Sequence, residues 1–292
     1  MPRTRATLIG FVAVLLWSLL ALFTVGTSPT PPLLLNALCF SIGGALGLVW
    51  CLSNGTLAQL RHVPYHVYVF GTLGLFGYHA LYFSALRLAP AAEAGLIAYL
   101  WPLLIVVGSG LLPGEKLRAG HLIGAALGFA GAALIISNGA GQFQAQYLPG
   151  YLLALCCALT WSSYSLFSRH VGTAPTASVV VFCLGTAALS LPLHFLFEET
   201  ILPETTLGWI SIIGLGLGPV GLAFYVWDIG CKRGDIQLLG TSSYLAPLLS
   251  TLVLVVCGVT PADPLLFWAA ALITGGAICA ARASNGKPAV TP

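Results

Sequence analysis

Ten stretches of about twenty mostly apolar residues, parted by short segments that hold nearly all the charge, limit what this chain can become more than any other feature of it. About twenty residues is the length a helix needs to cross a hydrocarbon core of roughly 30 Å. Composition agrees: 58% of the residues are hydrophobic and 7% charged, against about 25% charged in an ordinary soluble domain. A water-soluble surface cannot be clothed with so few charges. The expected fold class is therefore an all-α integral membrane protein with ten transmembrane helices, its first partner being the lipid bilayer.

The expected spans are Leu8 to Gly26, Leu33 to Ser53, His66 to Leu88, Ala91 to Leu112, Ala119 to Ser137, Gly150 to His170, Ala177 to Phe197, Leu207 to Cys231, Asp235 to Cys257 and Pro264 to Arg282. No loop or tail is long enough for a separate soluble domain. Arg3 and Arg5 flank the first span as they would a signal peptide. The span is too long for such a segment and lacks a small-X-small cleavage site, so it reads as a retained helix. With the N-terminus in the cytoplasm, Arg3, Arg5, Arg61, Lys116, Arg118, Arg169, Lys232, Arg233, Arg282 and Lys287 all fall on the cytoplasmic side, and Arg87 alone falls outside. That asymmetry places both termini inside, and the short loops suggest a bacterial inner membrane. A net charge of +3 reflects this orientation, and nothing resembles the accessible basic surface that nucleic-acid binding requires. The eight cysteines lack Cys/His ligand spacing and read as small buried apolar residues. Neither a metal nor a cofactor is expected, and no phosphate-binding loop for ATP is present.

The chain repeats itself. Tyr99-Leu-Trp-Pro102-Leu-Leu matches Tyr244-Leu-Ala-Pro247-Leu-Leu, 145 positions on. Trp17-Ser18 with Leu22-Phe23 matches Trp161-Ser162 with Leu166-Phe167, Gly71 and Arg87 match Gly216 and Lys232, Gly128 matches Gly275, and Ser137-Asn138-Gly139 matches Ser284-Asn285-Gly286. Residues 1–145 and 146–292 thus read as two five-helix repeats. Five is odd, so the second copy enters the bilayer from the other side. Inverted repeats of this kind are frequent in secondary transporters, whose substrate site lies near the midplane between the halves.

With these matches in place, the sequence resembles the drug/metabolite transporter superfamily, in its ten-helix branch with paired EamA-like domains. The resemblance covers nearly the whole chain. Its most typical parts are Gly114-Glu115-Lys116-Leu117, leading into Gly124-Ala-Ala-Leu-Gly128-Phe-Ala-Gly131, and the two proline-bearing spans. Within the superfamily the chain is most similar to the aromatic amino acid exporters. The second copy offers Val259-Thr-Pro-Ala-Asp263 where Glu115 should recur, so that glutamate is assigned no transport role.

Membrane tryptophan and tyrosine usually mark the interfaces, and Trp50, Tyr65, Tyr68, Tyr147, Tyr151, Trp209 and Trp268 fit that habit. Trp17, Tyr78, Tyr99, Trp101, Trp161, Tyr164 and Tyr244 instead fall near the centres of their spans, where an N–H or O–H group is costly without a partner. They either pack between helices or line a cavity, and their recurrence on matched helices of both repeats favours a cavity. In the third span Tyr78, His79 and Tyr82 share one helical face, opposite Gly71, Gly74 and Gly77, which suit close packing. Ser243 adjoins Tyr244 in the ninth span. The candidate substrate-binding set is therefore Trp17, Tyr78, His79, Tyr82, Tyr99, Trp101, Trp161, Tyr164, Ser243 and Tyr244.

Pro102 and Pro247 each interrupt a span at mid-depth. They are expected to leave the carbonyls of Ala98 and Ser243 without their helical donors, and to act as facing hinges across the pathway. Charge at depth is scarce. Glu93 and Asp228 lie near span ends, within reach of the interface or of Arg87 and Lys232, and His79 is the one mid-span group that can change charge near neutral pH.

Such a cavity suits a neutral or zwitterionic small molecule with a large apolar or aromatic surface, and the absence of mid-span Arg or Lys argues against phosphorylated substrates. The resemblance selects aromatic or hydrophobic amino acids, moved outward by alternating access, for which a monomer suffices. Two alternatives remain open: a multidrug or small-amine exporter of the same fold, using Glu93 or Asp228, and an intramembrane enzyme built on Ser109 and His79.

Overall fold

The structure is a computed structural model, and residues 1–137 and 143–285 are described. Lys287 and the Asn138-Gly139 and Gly286 portion of the repeat lie outside the described residues. Ten helices among those described are long and apolar enough to cross a membrane: α1 (Arg3–Gly26), α2 (Pro32–Ser53), α3 (Tyr65–Leu88), α4 (Ala91–Ser109), α5 (Ala119–Ile136), α6 (Ala145–His170), α7 (Ser178–Phe197), α8 (Thr206–Arg233), α9 (Ile236–Val256) and α10 (Leu265–Asn285). The expected spans coincide with these except at their ends. α1 begins at Arg3 instead of Leu8 and α6 at Ala145 instead of Gly150, because a helix continues past the hydrocarbon boundary for as long as its backbone bonds can be made.

Four helices are broken near mid-depth. α4 divides into Ala91–Ala98 and Trp101–Ser109, and α9 into Ile236–Ser242 and Leu245–Val256, each break lying just ahead of its proline. The other two breaks were not expected. α1 is interrupted at Ser18 and Leu19, between Arg3–Trp17 and Leu20–Gly26, and α8 carries a π-helical turn over Gly218–Leu222. Pro219 lies within that turn and has no N–H to donate. The wider turn accommodates the proline without ending the helix.

Small residues set the packing. α2 lies against α7, α3 against α6 and α7, α1 against the second half of α8, and α5 against α10. A Cβ on Gly10 would stand 2.8 Å from the Cα of Gly230, so α1 and α8 touch backbone to backbone. At the α5–α10 contact a Cβ on Gly124 would stand 2.5 Å from the carbonyl oxygen of Gly276. The glycine face of α3 receives neighbouring rings, Gly71 against Phe182 of α7 and Gly74 against Tyr164 of α6. Lipid supplies no hydrophobic drive between helices, so close van der Waals approach of this kind is what holds them together. Cys39, Cys51, Cys157, Cys183 and Cys231 are buried as expected, whereas Cys156 and Cys257 are exposed; a thiol is apolar enough to face a helix surface turned to lipid.

The two ends of the bundle differ. At one end Glu115 pairs with Arg3 (3.1 Å) and with Arg169, Arg3 also reaches Asp235 (3.4 Å), and Arg169 donates to the carbonyls of Cys231, Lys232 and Gly234. This charged face joins α1, the α4–α5 loop, α6 and the α8–α9 turn. At the opposite face Glu198 accepts from the first backbone N–H groups of α2, at Leu33 and Leu34, and pairs with His194 (3.0 Å) and Arg87 (3.4 Å). Asp228 pairs with Lys232 at 2.9 Å and also accepts from Ser168 and Thr176. Arg87, for which Glu93 was a candidate partner, thus takes Glu198.

Candidate functional site

The breaks in α1, α4, α8 and α9 surround one central cavity of about 340 Å3, within the roughly 300–1,000 Å3 typical of small-molecule sites. α1 contributes Trp17, Leu20 and Ala21; α3 contributes Tyr78, His79 and Tyr82; α4 contributes Ala98, Tyr99 and Trp101. Trp161 comes from α6, Pro219, Val220 and Phe224 from α8, and Ala246, Pro247, Ser250, Thr251 and Leu254 from α9. Ile135 and Ile136 of α5 complete the wall. These last residues and Leu254 stand at the ends of their helices farthest from the charged face, so the cavity runs from mid-depth toward the Glu198 end of the bundle.

Its floor is a cluster of indoles. The ring of Trp17 lies 6.0 Å from Trp101, 5.8 Å from Trp161 and 5.0 Å from Trp227, with the first two edge to face. Trp101 and Trp161 are 6.2 Å apart and also edge to face. Such geometries are the favourable ones for π systems. Tyr78 (5.3 Å) and Phe224 (5.7 Å) extend the cluster around Trp161. The indole N–H of Trp17 donates to the carbonyl of Pro219 at 3.1 Å, one of the backbone groups in the π-helical turn, so the first break is tied to the third.

His79 stands edge-on to Phe40, ring centres 5.0 Å apart, with its Nδ1 2.8 Å from the carbonyl of Leu75. A carbonyl can only accept, so Nδ1 carries the proton and Nε2 of the neutral ring is an acceptor. The wall also holds the hydroxyls of Tyr78, Tyr82 and Tyr99 and the indole N–H groups of Trp101 and Trp161, for which the protein supplies no hydrogen bond among the described residues. None of the described residues lining the cavity is Asp, Glu, Lys or Arg. The arrangement can stack a flat apolar ring and meet a few hydrogen-bonding groups, without a fixed ionic charge of its own.

Of the ten candidates from sequence, Trp17, Tyr78, His79, Tyr82, Tyr99, Trp101 and Trp161 line this cavity and Tyr164, Ser243 and Tyr244 do not. Tyr164 is a second layer, stacked behind Trp161 with ring centres 5.1 Å apart. The hydroxyl of Ser243 is spent on the carbonyl of Leu239 at 2.8 Å. Tyr244 is fully buried, and its hydroxyl accepts from the backbone N–H of Leu103 at 3.1 Å, a donor freed by the break beside Pro102. Between the two prolines the halves of α4 and α9 meet by packing. Pro247 is on the cavity wall, whereas Pro102 lies behind it with its carbonyl against Gly240. The Ser243 carbonyl, expected to be bare, accepts from Ala246 N–H at 3.1 Å through a tightened turn.

Phe224, Pro219 and Val220 went unrecognised. The repeat held the signal: 145 positions after His79 comes Phe224, and the same step from Tyr82 leads to Trp227. Ser109, considered as a nucleophile, donates to the carbonyl of Val106 at 2.6 Å.

Known proteins share this fold. The profile of the EamA-like transporter family matches residues 4–137 and again 148–282. The chain is 54% identical over 282 residues to the aromatic amino acid exporter YddG of Ancylobacter novellus, covering 96% of this chain and 98% of that one. It is 26% identical over 288 residues to the protein of the same name from Escherichia coli K12, with 94% and 96% covered. A solved crystal structure at 53% identity matches with a TM-score of 0.92, over 97% of this chain and 99% of the other.

Proposed function

Because the chain belongs to the EamA-like transporter family, we propose that it exports aromatic amino acids from the cytoplasm, through a bacterial inner membrane, by alternating access of its two five-helix repeats. The observation that carries this reading is the cavity wall of indoles and phenols without a fixed charge. A flat side chain gains from stacking there, while the carboxylate and ammonium groups of a zwitterion find N–H and O–H donors and the acceptor Nε2 of His79. A lone organic cation would find no carboxylate in that wall, which argues against the small-amine alternative. The name of the Ancylobacter novellus relative supports the same substrate class.

The charged face carries Arg3, Lys116, Arg169 and Lys232, and the rule that basic residues stay inside assigns it to the cytoplasm. The cavity then opens to the outer side and the ion pairs of Glu115 close the inner one, which makes this the outward-facing member of the cycle.

Counterflow in proteoliposomes tests the reading. Vesicles loaded with unlabelled phenylalanine should accumulate labelled phenylalanine and tryptophan, and alanine and a quaternary amine much less. Accumulation of the amine alone would overturn the substrate assignment.

A further inference from the structure

A second pocket, of about 160 Å3, lies at the charged face, lined among others by Arg3, Glu115, Lys116, Arg118, Asp235 and Gln237. One water takes up about 30 Å3, so there is room for a small head group. The side chain of Gln237 is the unusual feature. The residue is 1% exposed, and its Nε2 has no hydrogen-bond partner among the described residues. A buried amide donor without an acceptor is costly, and this one borders a pocket with Lys116 and Arg118 on its rim. The missing partner is an acceptor, and the surrounding charge makes it an anionic one. Glu115 and Asp235, with side chains 4% and 12% exposed, also line the pocket, and both face the guanidinium of Arg3, at 3.1 and 3.4 Å. Arg3 is itself 52% exposed in its side chain and holds, from the chain's own N-terminus, the place an ammonium group would take between two carboxylates.

We infer that this pocket is a loading site for the head group of a zwitterionic amino acid, its carboxylate on Gln237 Nε2 and the Lys116–Arg118 edge and its ammonium on Glu115 and Asp235 in place of Arg3. The assignment rests on the export reading above and adds to it the step that precedes occupation of the central cavity. Position supports it. Gln237 and Pro247 lie ten residues apart on α9, about 15 Å along a helix, one at the pocket and the other in the cavity wall. Between them stands Tyr244, its ring against Gly128 of α5 and its hydroxyl on Leu103 N–H. The two sites thus share one helix, with the buried stretch from Leu239 to Tyr244 between them. The aromatic cavity supplies stacking and no ionic charge, and the pocket supplies paired charges, so together they read both ends of the same molecule.

The test is sided kinetics of tryptophan transport by the full-length protein in proteoliposomes of known orientation, varying the concentration on one face at a time. Gln237→Ala should raise the half-saturating concentration at the charged face about tenfold, the loss of one charge-assisted hydrogen bond, and leave the opposite face unchanged. Gln237→Glu, which keeps size but sets a carboxylate against a carboxylate, should raise it further, and Lys116→Gln should act on the same face only. The unchanged outer-face value reports that each variant is folded. Equal changes at both faces, or none at either, would overturn the loading site. Wild-type vesicles that move no amino acid would instead remove the export reading, and the loading site with it.

Discussion

Replacing Glu115 by glutamine tests whether the ion pairs at the charged face hold the described conformation. The carboxylate joins residues of both repeats, Arg3 from the first and Arg169 from the second. The Arg3 arm contributes little, since that side chain is 52% exposed and surface pairs are worth about 0–1 kcal/mol. The Arg169 arm is different, with side chains 18% and 4% exposed and the guanidinium fixed by two carbonyls at the end of α8 and one in the α8–α9 turn. A hydrogen bond between charged groups contributes about 1.5–3 kcal/mol, and glutamine retains an acceptor, so the net loss should be about 1–2 kcal/mol. That is roughly a 5- to 30-fold shift in the ratio of the two access states. The assay is labelling by a membrane-impermeant maleimide, in a protein whose native cysteines are replaced and which carries Thr251→Cys in the cavity wall. Applied from the Glu198 side, labelling of Thr251→Cys should slow in the Glu115→Gln background, while labelling of Gln237→Cys from the charged side should quicken. Unchanged rates at both positions in a folded protein would refute the latch.

Tyr244→Phe removes the acceptor of the buried Leu103 N–H and should cost about 1–3 kcal/mol, seen as a lower melting temperature in detergent. Gly124→Ala sets a methyl 2.5 Å from the Gly276 carbonyl oxygen, and the forced separation of α5 and α10 should cost about 1–3 kcal/mol by the same measurement. Trp101→Ala and His79→Gln should lower tryptophan flux several-fold, Trp101→Ala also lowering the melting temperature through loss of a buried indole, about 3–5 kcal/mol, and normal transport by both would displace the site from this cavity. Phe224→Ala, at the position the repeat pairs with His79, should lower flux likewise and cost about 3–5 kcal/mol for its buried ring.

The spans and the repeat were legible because both rest on patterns along the chain, twenty-residue apolar runs and an offset near 145. Mid-depth rings identified seven cavity residues for the same reason: a polar ring inside a bilayer needs an explanation wherever it stands. What sequence could not supply was facing. Tyr164, Ser243 and Tyr244 have the right depth and chemistry but turn toward neighbouring helices, and no periodicity distinguishes a ring in the wall from one behind it. The break at Ser18 and Leu19 has no proline or glycine to announce it. Pro219 was visible in the sequence and passed over. Glu115 acquires its partners only when residues more than fifty positions distant along the chain reach it, so its ion pairs were beyond a one-dimensional reading.

The equivalence of His79 and Phe224 bears on how a guest would lie. A cage with true twofold symmetry offers any occupant two poses of equal energy, head one way or the other. Here the two repeats differ at matching places, the first offering an imidazole where the second offers a phenyl ring. Such mismatches, Trp101 against Ala246 being another, lift the degeneracy and give the cargo a front and a back.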